Sequence, residues 1–174
     1  MDEKNTQEII EIVMETNMGD IELELYPDKA PITVANFMNY VESNFFDGLI
    51  FHRVIDGFMI QGGGFDDEFN HKDGNAPIKI ESDNGLANDR GTIAMARTMD
   101  PNSATSQFFI NLVDNSFLNF REPTMDGYGY AVFGKVTNGM EVVDEIGSIP
   151  TSFGGPFSSD VPRSLVQINT IRKK

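Results

Sequence analysis

Apolar and polar residues alternate in short runs over most of this chain, a pattern typical of β-strands with one buried face. The run from Ile21 to Leu25 is the clearest, and an earlier run begins at Ile9. Asn17-Met18-Gly19-Asp20 separates the two, and such residues form turns, so a β-hairpin is predicted between Ile9 and Tyr26. Further short strands are predicted at 50–55, 58–62, 92–97, 107–112, 130–136 and 165–171.

Two segments have helical spacing instead. Pro31 suits a first helical position, and apolar residues follow from Val34 at i, i+3, i+4 and i+7, which predicts an amphipathic helix over 31–44. A second short helix is predicted after Gly139, with Gly147 as its stop. Many short strands with two isolated helices favour an antiparallel barrel or sandwich whose openings the helices cover.

Length and charge restrict the class of protein. A chain of 174 residues predicts one domain, which we place at 9–174 after a flexible acidic extension at 1–8. With 13 Lys and Arg against 27 Asp and Glu, the formal net charge is −14. We therefore expect neither nucleic acid nor an anionic membrane surface as a partner. The first 20 residues lack the basic start and apolar core of a signal peptide, so a cytoplasmic location is expected.

Several kinds of catalytic chemistry have no support in the residues. The chain has no Cys, which excludes disulfides, thiolate metal sites and a Cys nucleophile. His52 and His71 are not spaced as a metal-binding pair, and the acidic stretch around Asp66 does not match a calcium loop. Gly62-Gly63-Gly64 is interpreted as a backbone turn that needs positive φ, and not as a phosphate cradle. No metal or other cofactor is expected.

Three separated motifs carry a family resemblance. Residues 51–63 read Phe-His-Arg-Val-Ile-Asp-Gly-Phe-Met-Ile-Gln-Gly-Gly; residues 91–97 read Gly-Thr-Ile-Ala-Met-Ala-Arg, followed by Ser-Gln-Phe-Phe at 106–109; and residues 132–136 read Val-Phe-Gly-Lys-Val. In this order they resemble the cyclophilins, a family of peptidyl-prolyl cis-trans isomerases. The similarity runs from about Met14 to Ile171, and the compact chain looks most like the bacterial cytosolic form, the peptidyl-prolyl isomerase B type. The resemblance implies a closed eight-stranded antiparallel barrel with two capping α-helices.

The resemblance also implies a set of site residues. Arg53, in Phe-His-Arg-Val, matches the catalytic arginine of the family. The substrate-binding positions it implies are Phe58, Met59, Gln61, Ala96, Gln107, Phe109, Phe117, Leu118 and Tyr130. Phe117 stands where many members have Trp, and Tyr130 where many have His, while Arg97 and Thr98 replace an Asn-Ala pair of the eukaryotic form. Because Phe lacks the indole N–H donor, weak cyclosporin binding is expected.

These residue types suit rotation about an X–Pro bond. The barrier is amide resonance, so a donor that localises the lone pair of the proline nitrogen eases rotation. Arg53 offers permanently charged, directed donors for that purpose, and Gln61 can donate to the substrate carbonyl while accepting from Arg53. Phe58, Met59, Phe109 and Leu118 supply an apolar socket for the proline ring. The reaction needs no proton transfer, which agrees with the lack of a nucleophile.

The expected function is peptidyl-prolyl cis-trans isomerisation that assists protein folding. Expected partners are proline-containing peptides and unfolded or partly folded proteins, bound by a monomer. One alternative is a peptide-binding module or chaperone with the same fold and little turnover. Another is a small-ligand barrel of the lipocalin type, which would need a deep apolar lumen; the 14 Phe residues predict a filled barrel instead.

Overall fold

The computed structural model describes residues 8–174, which form ten strands and two α-helices. The predicted extension at 1–8 lies almost wholly outside the described residues. The strands are β1 (Ile10–Thr16), β2 (Gly19–Leu25), β3 (Leu49–Ile55), β4 (Met59–Asp66), β5 (Thr92–Met95), β6 (Phe108–Asn111), β7 (Val132–Asn138), β8 (Thr151–Gly154), β9 (Phe157–Pro162) and β10 (Ile168–Lys173). The helices are α1 (Pro31–Glu42) and α2 (Met140–Gly147).

Eight of the strands form one antiparallel sheet in the order β10-β1-β2-β7-β5-β6-β4-β3. The two edge strands meet where Ile50 pairs with Gln167 in an isolated antiparallel bridge. The Phe51 amide donates to the Val166 carbonyl (3.0 Å) and the Gly48 amide to the Ile168 carbonyl (2.8 Å), which extends this seam. The sheet is therefore a nearly closed barrel, and the predicted mainly-β fold with two capping helices is confirmed.

Phenylalanine fills the inside of the barrel. Phe37 of α1 lies 5.2 Å from Phe133 and 5.7 Å from Phe108, measured between ring centroids, and Phe46 lies 5.5 Å from Phe108. All four rings are almost completely buried. Each large aromatic ring buries enough apolar area to dominate the stability of such a core. The lumen is packed, so the interior offers no space of the kind a lipocalin uses for its ligand.

The two helices cover the barrel openings. Pro31 begins α1, as predicted, and the helix ends at Glu42, two residues before the predicted end. The Glu81 carboxylate accepts the amides of Ile32 (3.2 Å) and Thr33 (2.7 Å), and so caps a helix start that lacks a local capping side chain. α2 follows Gly139, whose φ of +93° favours glycine, and ends at Gly147 as predicted.

One local prediction was wrong, and one element of the structure was not predicted. Gly62-Gly63-Gly64 lies within β4 and not in a turn; only Gly63 has positive φ, and a Cβ at Gly62 would lie 2.7 Å from the Ile50 carbonyl oxygen. Gly62 is needed because β3 approaches closely there, whereas a Cβ at Gly63 would meet the Phe108 ring (2.9 Å) and one at Gly64 the Gln107 side chain (2.5 Å). The β8–β9 hairpin was not predicted, since its sequence is rich in Ser, Gly and Pro.

In the described part of the chain no helix is long and apolar enough to cross a membrane. Residues 8–174 likewise contain no group of three or more His, Asp or Glu side chains arranged to hold a metal ion. Asp66 instead accepts the backbone amides of Glu68 and Asn70, both at 2.9 Å. These bonds stabilise its ionised form and lower the pKa of its carboxyl group.

Candidate active site

The strand register places the predicted site residues side by side. Arg53 of β3 pairs with Gln61 of β4, and Gln61 pairs with Phe109 of β6. Phe109 in turn pairs with Ala94 of β5. Because directly opposed residues share a face of the sheet, these side chains form one row on the outside of the barrel. The sequence positions of the row are far apart, and only the antiparallel pairing brings them together.

A chain of hydrogen bonds links the polar members of this row. The Arg53 Nη1 atom donates to Gln61 Oε1 at 3.2 Å, and Gln61 Nε2 donates to Gln107 Oε1 at 3.0 Å. This arrangement fixes the Gln61 amide, with its oxygen towards Arg53 and its second Nε2–H free for a ligand. Gln107 thus contributes a hydrogen-bond acceptor for the Gln61 amide. Arg53 itself is exposed, as a donor to an external ligand must be.

A cavity of about 320 Å³ with an apolar floor lies beside this chain of hydrogen bonds. Its floor is formed by Met59 and Phe109, which are 2% and 4% exposed, while Phe117 at the rim is 63% exposed. The Phe117 ring stacks on Phe58 at a centroid distance of 5.8 Å. The cavity is lined by Arg53, Phe58, Met59, Gln61, Ala96, Arg97, Phe109, Phe117, Leu118 and Tyr130. Nine of the ten predicted site residues are in this set, and Gln107 reaches it through Gln61.

A buried amide network holds the Phe117 and Leu118 side of the cavity. These two residues lie in a 3₁₀ turn at 116–118. Asn115 Nδ2 donates to the Phe58 carbonyl (3.0 Å) and to Asn111 Oδ1 (2.8 Å), and Asn88 Nδ2 donates to the Leu118 carbonyl (3.1 Å). Buried amides that are all satisfied in this way stabilise one loop conformation. The sequence analysis did not find these asparagines, because single Asn residues in loops have many other roles.

A second cavity, of about 270 Å³, adjoins the first across Gln61, Ala96 and Arg97. Its other lining residues are His71, Thr98, Ser103, Thr105 and Gln107. Arg97 was noted in the sequence as a departure from the eukaryotic pattern and was not predicted as a site residue. Its guanidinium lies over the Tyr130 ring, 4.7 Å from the centroid, and Tyr130 packs edge-on against Phe109 at 5.6 Å. The sequence signal that could have identified Arg97 as a site residue is its position directly after Ala96 in the Met-Ala-Arg motif.

His52 lies behind the site. It is 4% exposed, between Phe65 at 4.8 Å and Phe157 of β9 at 5.1 Å, and its Nδ1 atom has no hydrogen-bond partner among the described residues. Burial, together with the nearby charge of Arg53, lowers the pKa of His52 to about 4. The imidazole is therefore neutral near pH 7, as expected for a core histidine, and lies outside both cavities.

Comparison with known sequences places this geometry in a family. The family model described as "Cyclophilin type peptidyl-prolyl cis-trans isomerase/CLD" matches residues 11–173. The chain belongs to the cyclophilin-type peptidyl-prolyl cis-trans isomerases. This cyclophilin is 56% identical over 163 residues to a peptidyl-prolyl cis-trans isomerase of Acinetobacter baylyi, covering 94% of this chain and 85% of the relative. It is 51% identical over 160 residues to peptidyl-prolyl cis-trans isomerase B of Escherichia coli, covering 92% and 97%.

Solved structures agree with this assignment. A Cryptosporidium parvum cyclophilin-type peptidyl-prolyl cis-trans isomerase superposes with a TM-score of 0.80 at 28% identity, covering 96% of this chain and 98% of that one. A structure of the same protein in the presence of the dipeptide Ala-Pro has a TM-score of 0.78 at 29% identity, covering 94% and 98%. The predicted family, fold and peptidyl-prolyl isomerase activity are thus confirmed.

Proposed function

We propose that this cyclophilin isomerises X–Pro bonds in peptides and in unfolded or partly folded proteins, with Arg53 as the catalytic residue. The observation that carries this assignment is the hydrogen-bonded chain Arg53–Gln61–Gln107 beside a cavity of about 320 Å³ with an apolar floor. The proline ring occupies the socket over Met59 and Phe109. Its nitrogen then faces the Arg53 guanidinium, which stabilises the nitrogen lone pair as the amide twists.

Gln61 orients the substrate in this proposal. Its oxygen accepts from Arg53, so its free Nε2–H is left to donate to the carbonyl of the residue before proline. Gln61 lines both cavities, whereas Phe58, Phe117 and Leu118 line only the first. The part of the substrate that precedes the proline therefore runs over Gln61 towards the second cavity.

The size of the rate enhancement limits what Arg53 contributes by itself. Uncatalysed isomerisation takes on the order of 100 s, and shortening it to about 1 ms requires roughly 10⁵-fold, or ~7 kcal/mol. One charge-assisted hydrogen bond contributes roughly 1.5–3 kcal/mol. The remainder is assigned to exclusion of water over the buried floor of Met59 and Phe109, and to a site shaped for the twisted amide.

The finer predictions about partners rest on sequence and site chemistry. We propose that the enzyme acts as a monomer in the cytoplasm, on folding proteins whose slow steps are X–Pro isomerisations. The chain's net charge of −14 disfavours nucleic acid and anionic membranes as partners. The apolar side chains that form the socket for the proline ring, Met59, Phe109 and Leu118, make no demand on the residue before it, which supports broad acceptance of X–Pro sequences.

The test is a prolyl isomerase assay on the wild type, Arg53→Lys and Arg53→Ala with one X–Pro peptide. Both substitutions are expected to lower kcat/KM by at least about tenfold, because lysine keeps the charge but loses the planar, directed donors. Thermal midpoints are expected to move little, since Arg53 is exposed and bonds only Gln61 among the described residues.

Other results of this assay would assign a different role to Arg53. Full activity of Arg53→Lys would show that charge alone suffices, and full activity of Arg53→Ala would remove Arg53 from the mechanism. Loss of activity together with a large drop in Tm would assign Arg53 a structural role. Peptide binding by the wild type without turnover would instead favour the peptide-binding module.

A further inference from the structure

The residues that line the two cavities differ in charge from the chain as a whole. The chain has 27 acidic and 13 basic residues. Among the described residues that line either cavity there is no Asp or Glu, while Arg53 and Arg97 are both present. Arg53 is placed at the reacting bond. Arg97 stands at the junction of the two cavities and has no role in the proposed isomerisation.

Arg97 is held in place with donors to spare. Its Nε donates to the Gly129 carbonyl (2.9 Å), and its Nη1 to the carbonyls of Thr98 (2.8 Å) and Met99 (3.3 Å). The ring of Tyr130 supports the guanidinium from one side. None of these partners is a carboxylate, and Nη2 has no hydrogen-bond partner among residues 8–174. The charge of this fixed cation is therefore not neutralised by an ion pair within the described chain.

The spacing of the two cavities fits two residues of an extended peptide. The first cavity lies over Phe109 and the second over Gln107, two residues earlier in the chain. In extended chains each residue advances about 3.3 Å, so two residues span about 6–7 Å. Since the segment before the proline runs over Gln61, the residue two positions before proline falls at the second cavity, next to Arg97.

We propose that Arg97 is a specificity residue that selects substrates with a carboxylate side chain two positions before the proline. The inference rests on the proposed orientation of the substrate over Gln61. A carboxylate at that position accepts from the free Nη2 donors in the planar geometry that guanidinium groups favour. Glu is expected to fit better than Lys, which would meet the Arg97 charge without a compensating acid in the cavity.

The experiment compares blocked peptides Z-Ala-Pro-Phe in which Z is Glu, Gln or Lys, with rates measured by exchange NMR. Exposed and partly exposed ion pairs contribute modestly, so wild-type kcat/KM is expected to be about two- to fivefold higher for Glu than for Gln. Arg97→Gln is expected to bring this ratio to about 1, and Arg97→Lys to retain part of it. Arg172→Gln, on β10 and paired with Glu15, changes the net charge equally and is expected to leave the ratio unchanged.

Several results would overturn the proposal. A wild-type ratio of 1 would do so, and so would a ratio that survives in Arg97→Gln. An equal loss on the Glu and Gln peptides would mean that Arg97 only supports Tyr130. A ratio that falls in His71→Asn but not in Arg97→Gln would assign recognition to the imidazole of the second cavity.

Two further outcomes distinguish a failure of this proposal from a failure of the proposed catalytic function. A preference that appears only when Glu follows the proline would reverse the assumed substrate direction and also contradict the proposal. Turnover of the Gln peptide by the wild type tests the proposed catalytic role independently of charge. Should Arg97→Gln fail to fold, the Glu-to-Gln ratio of the wild type and of Arg97→Lys still decides the question.

Discussion

Single side chains in this cyclophilin act through the partners that orient them. Arg53 is exposed and flexible by nature, yet its contact with Gln61 aims its donors over the apolar socket. Gln61 is oriented in turn by Gln107. The site therefore depends on a residue that does not line the proline cavity, and substitution of that residue tests the dependence.

Gln107→Leu is expected to lower kcat/KM about fivefold, because Gln61 loses an acceptor whose net value is about 1 kcal/mol. Gln107→Glu, which keeps an acceptor oxygen at the same place, is expected to retain most of the activity. Steady-state kinetics on one X–Pro peptide, with melting curves alongside, provide the measurement. Wild-type activity in Gln107→Leu would mean that Gln61 holds its orientation without this hydrogen bond.

Phe117 is a second single residue whose substitution is expected to change the function of the site, in this case the binding of an inhibitor. Its ring is 63% exposed and stacks on Phe58, so the rim has room for a larger aromatic side chain. Phe117→Trp adds an indole N–H donor and is expected to strengthen cyclosporin binding by about 0.5–1.5 kcal/mol, or roughly two- to tenfold in Kd. Titration of wild type and variant measures the change. No gain, in a variant with unchanged peptide turnover, would contradict the role given to the missing donor.

Elements outside the eight-stranded sheet also shape the environment of the site. The β8–β9 hairpin packs on β3, with Phe157 covering His52 directly beside Arg53. Phe157 and Phe65 of β4 together cover the imidazole, and this burial, with the nearby charge of Arg53, lowers the pKa of His52 to about 4. A surface hairpin thus contributes to the environment of a titratable group inside the molecule.

This arrangement predicts a pH dependence of stability. In the unfolded chain a histidine titrates near pH 6.5, whereas folded His52 takes up its proton only near pH 4. The unfolded state binds more protons between these values, so stability from this group is present above about pH 6.5 and is lost as pH falls. Between pH 7 and 5 the loss is about 2 kcal/mol.

Urea unfolding at pH 7, 6 and 5 measures this loss. Carboxyl groups contribute to the same curve, so the comparison is with His52→Gln, in which the decline between pH 7 and 5 should be smaller by about 2 kcal/mol. Phe157→Ala, which uncovers the imidazole, should move the variant in the same direction. Identical pH curves for wild type and His52→Gln would show that His52 is solvated in solution.

At the scale of the whole molecule, the filled barrel makes a rigid base for an external site. Phe37, Phe108 and Phe133 occupy the interior, while Met59 and Phe109 belong to a separate apolar cluster on the outer face of the sheet. These two apolar clusters pack against opposite faces of β4, β5 and β6. The sheet therefore supports the cleft from its inner side, and in the proposal above the Arg97 charge acts on substrate choice without a change in the fold.

The same frame predicts a catalytic rate that is independent of pH near neutrality. The proposed mechanism uses only guanidinium and amide side chains, which transfer no proton in the reaction, and buried His52 is neutral between about pH 6 and 9. A flat profile of kcat/KM on an uncharged peptide is expected. A bell-shaped profile would report an essential acid and base, and repetition with His71→Asn would show whether the second cavity is its source.

The sequence alone determined the family, the two helices and the first β-hairpin, because periodicity and motif order are local properties; the contiguous motifs also named nine residues that the structure places in one cavity, whose roles stay predictions. It did not reveal the β8–β9 hairpin, whose polar residues gain their structure from packing on β3. It also missed Arg97 as a cavity residue and the Asn88–Asn111–Asn115 network. Asn88, Arg97 and Asn115 lie in loops, and only the tertiary structure brings them to the site, because long-range hydrogen bonds between loops and strands leave no local pattern in the sequence.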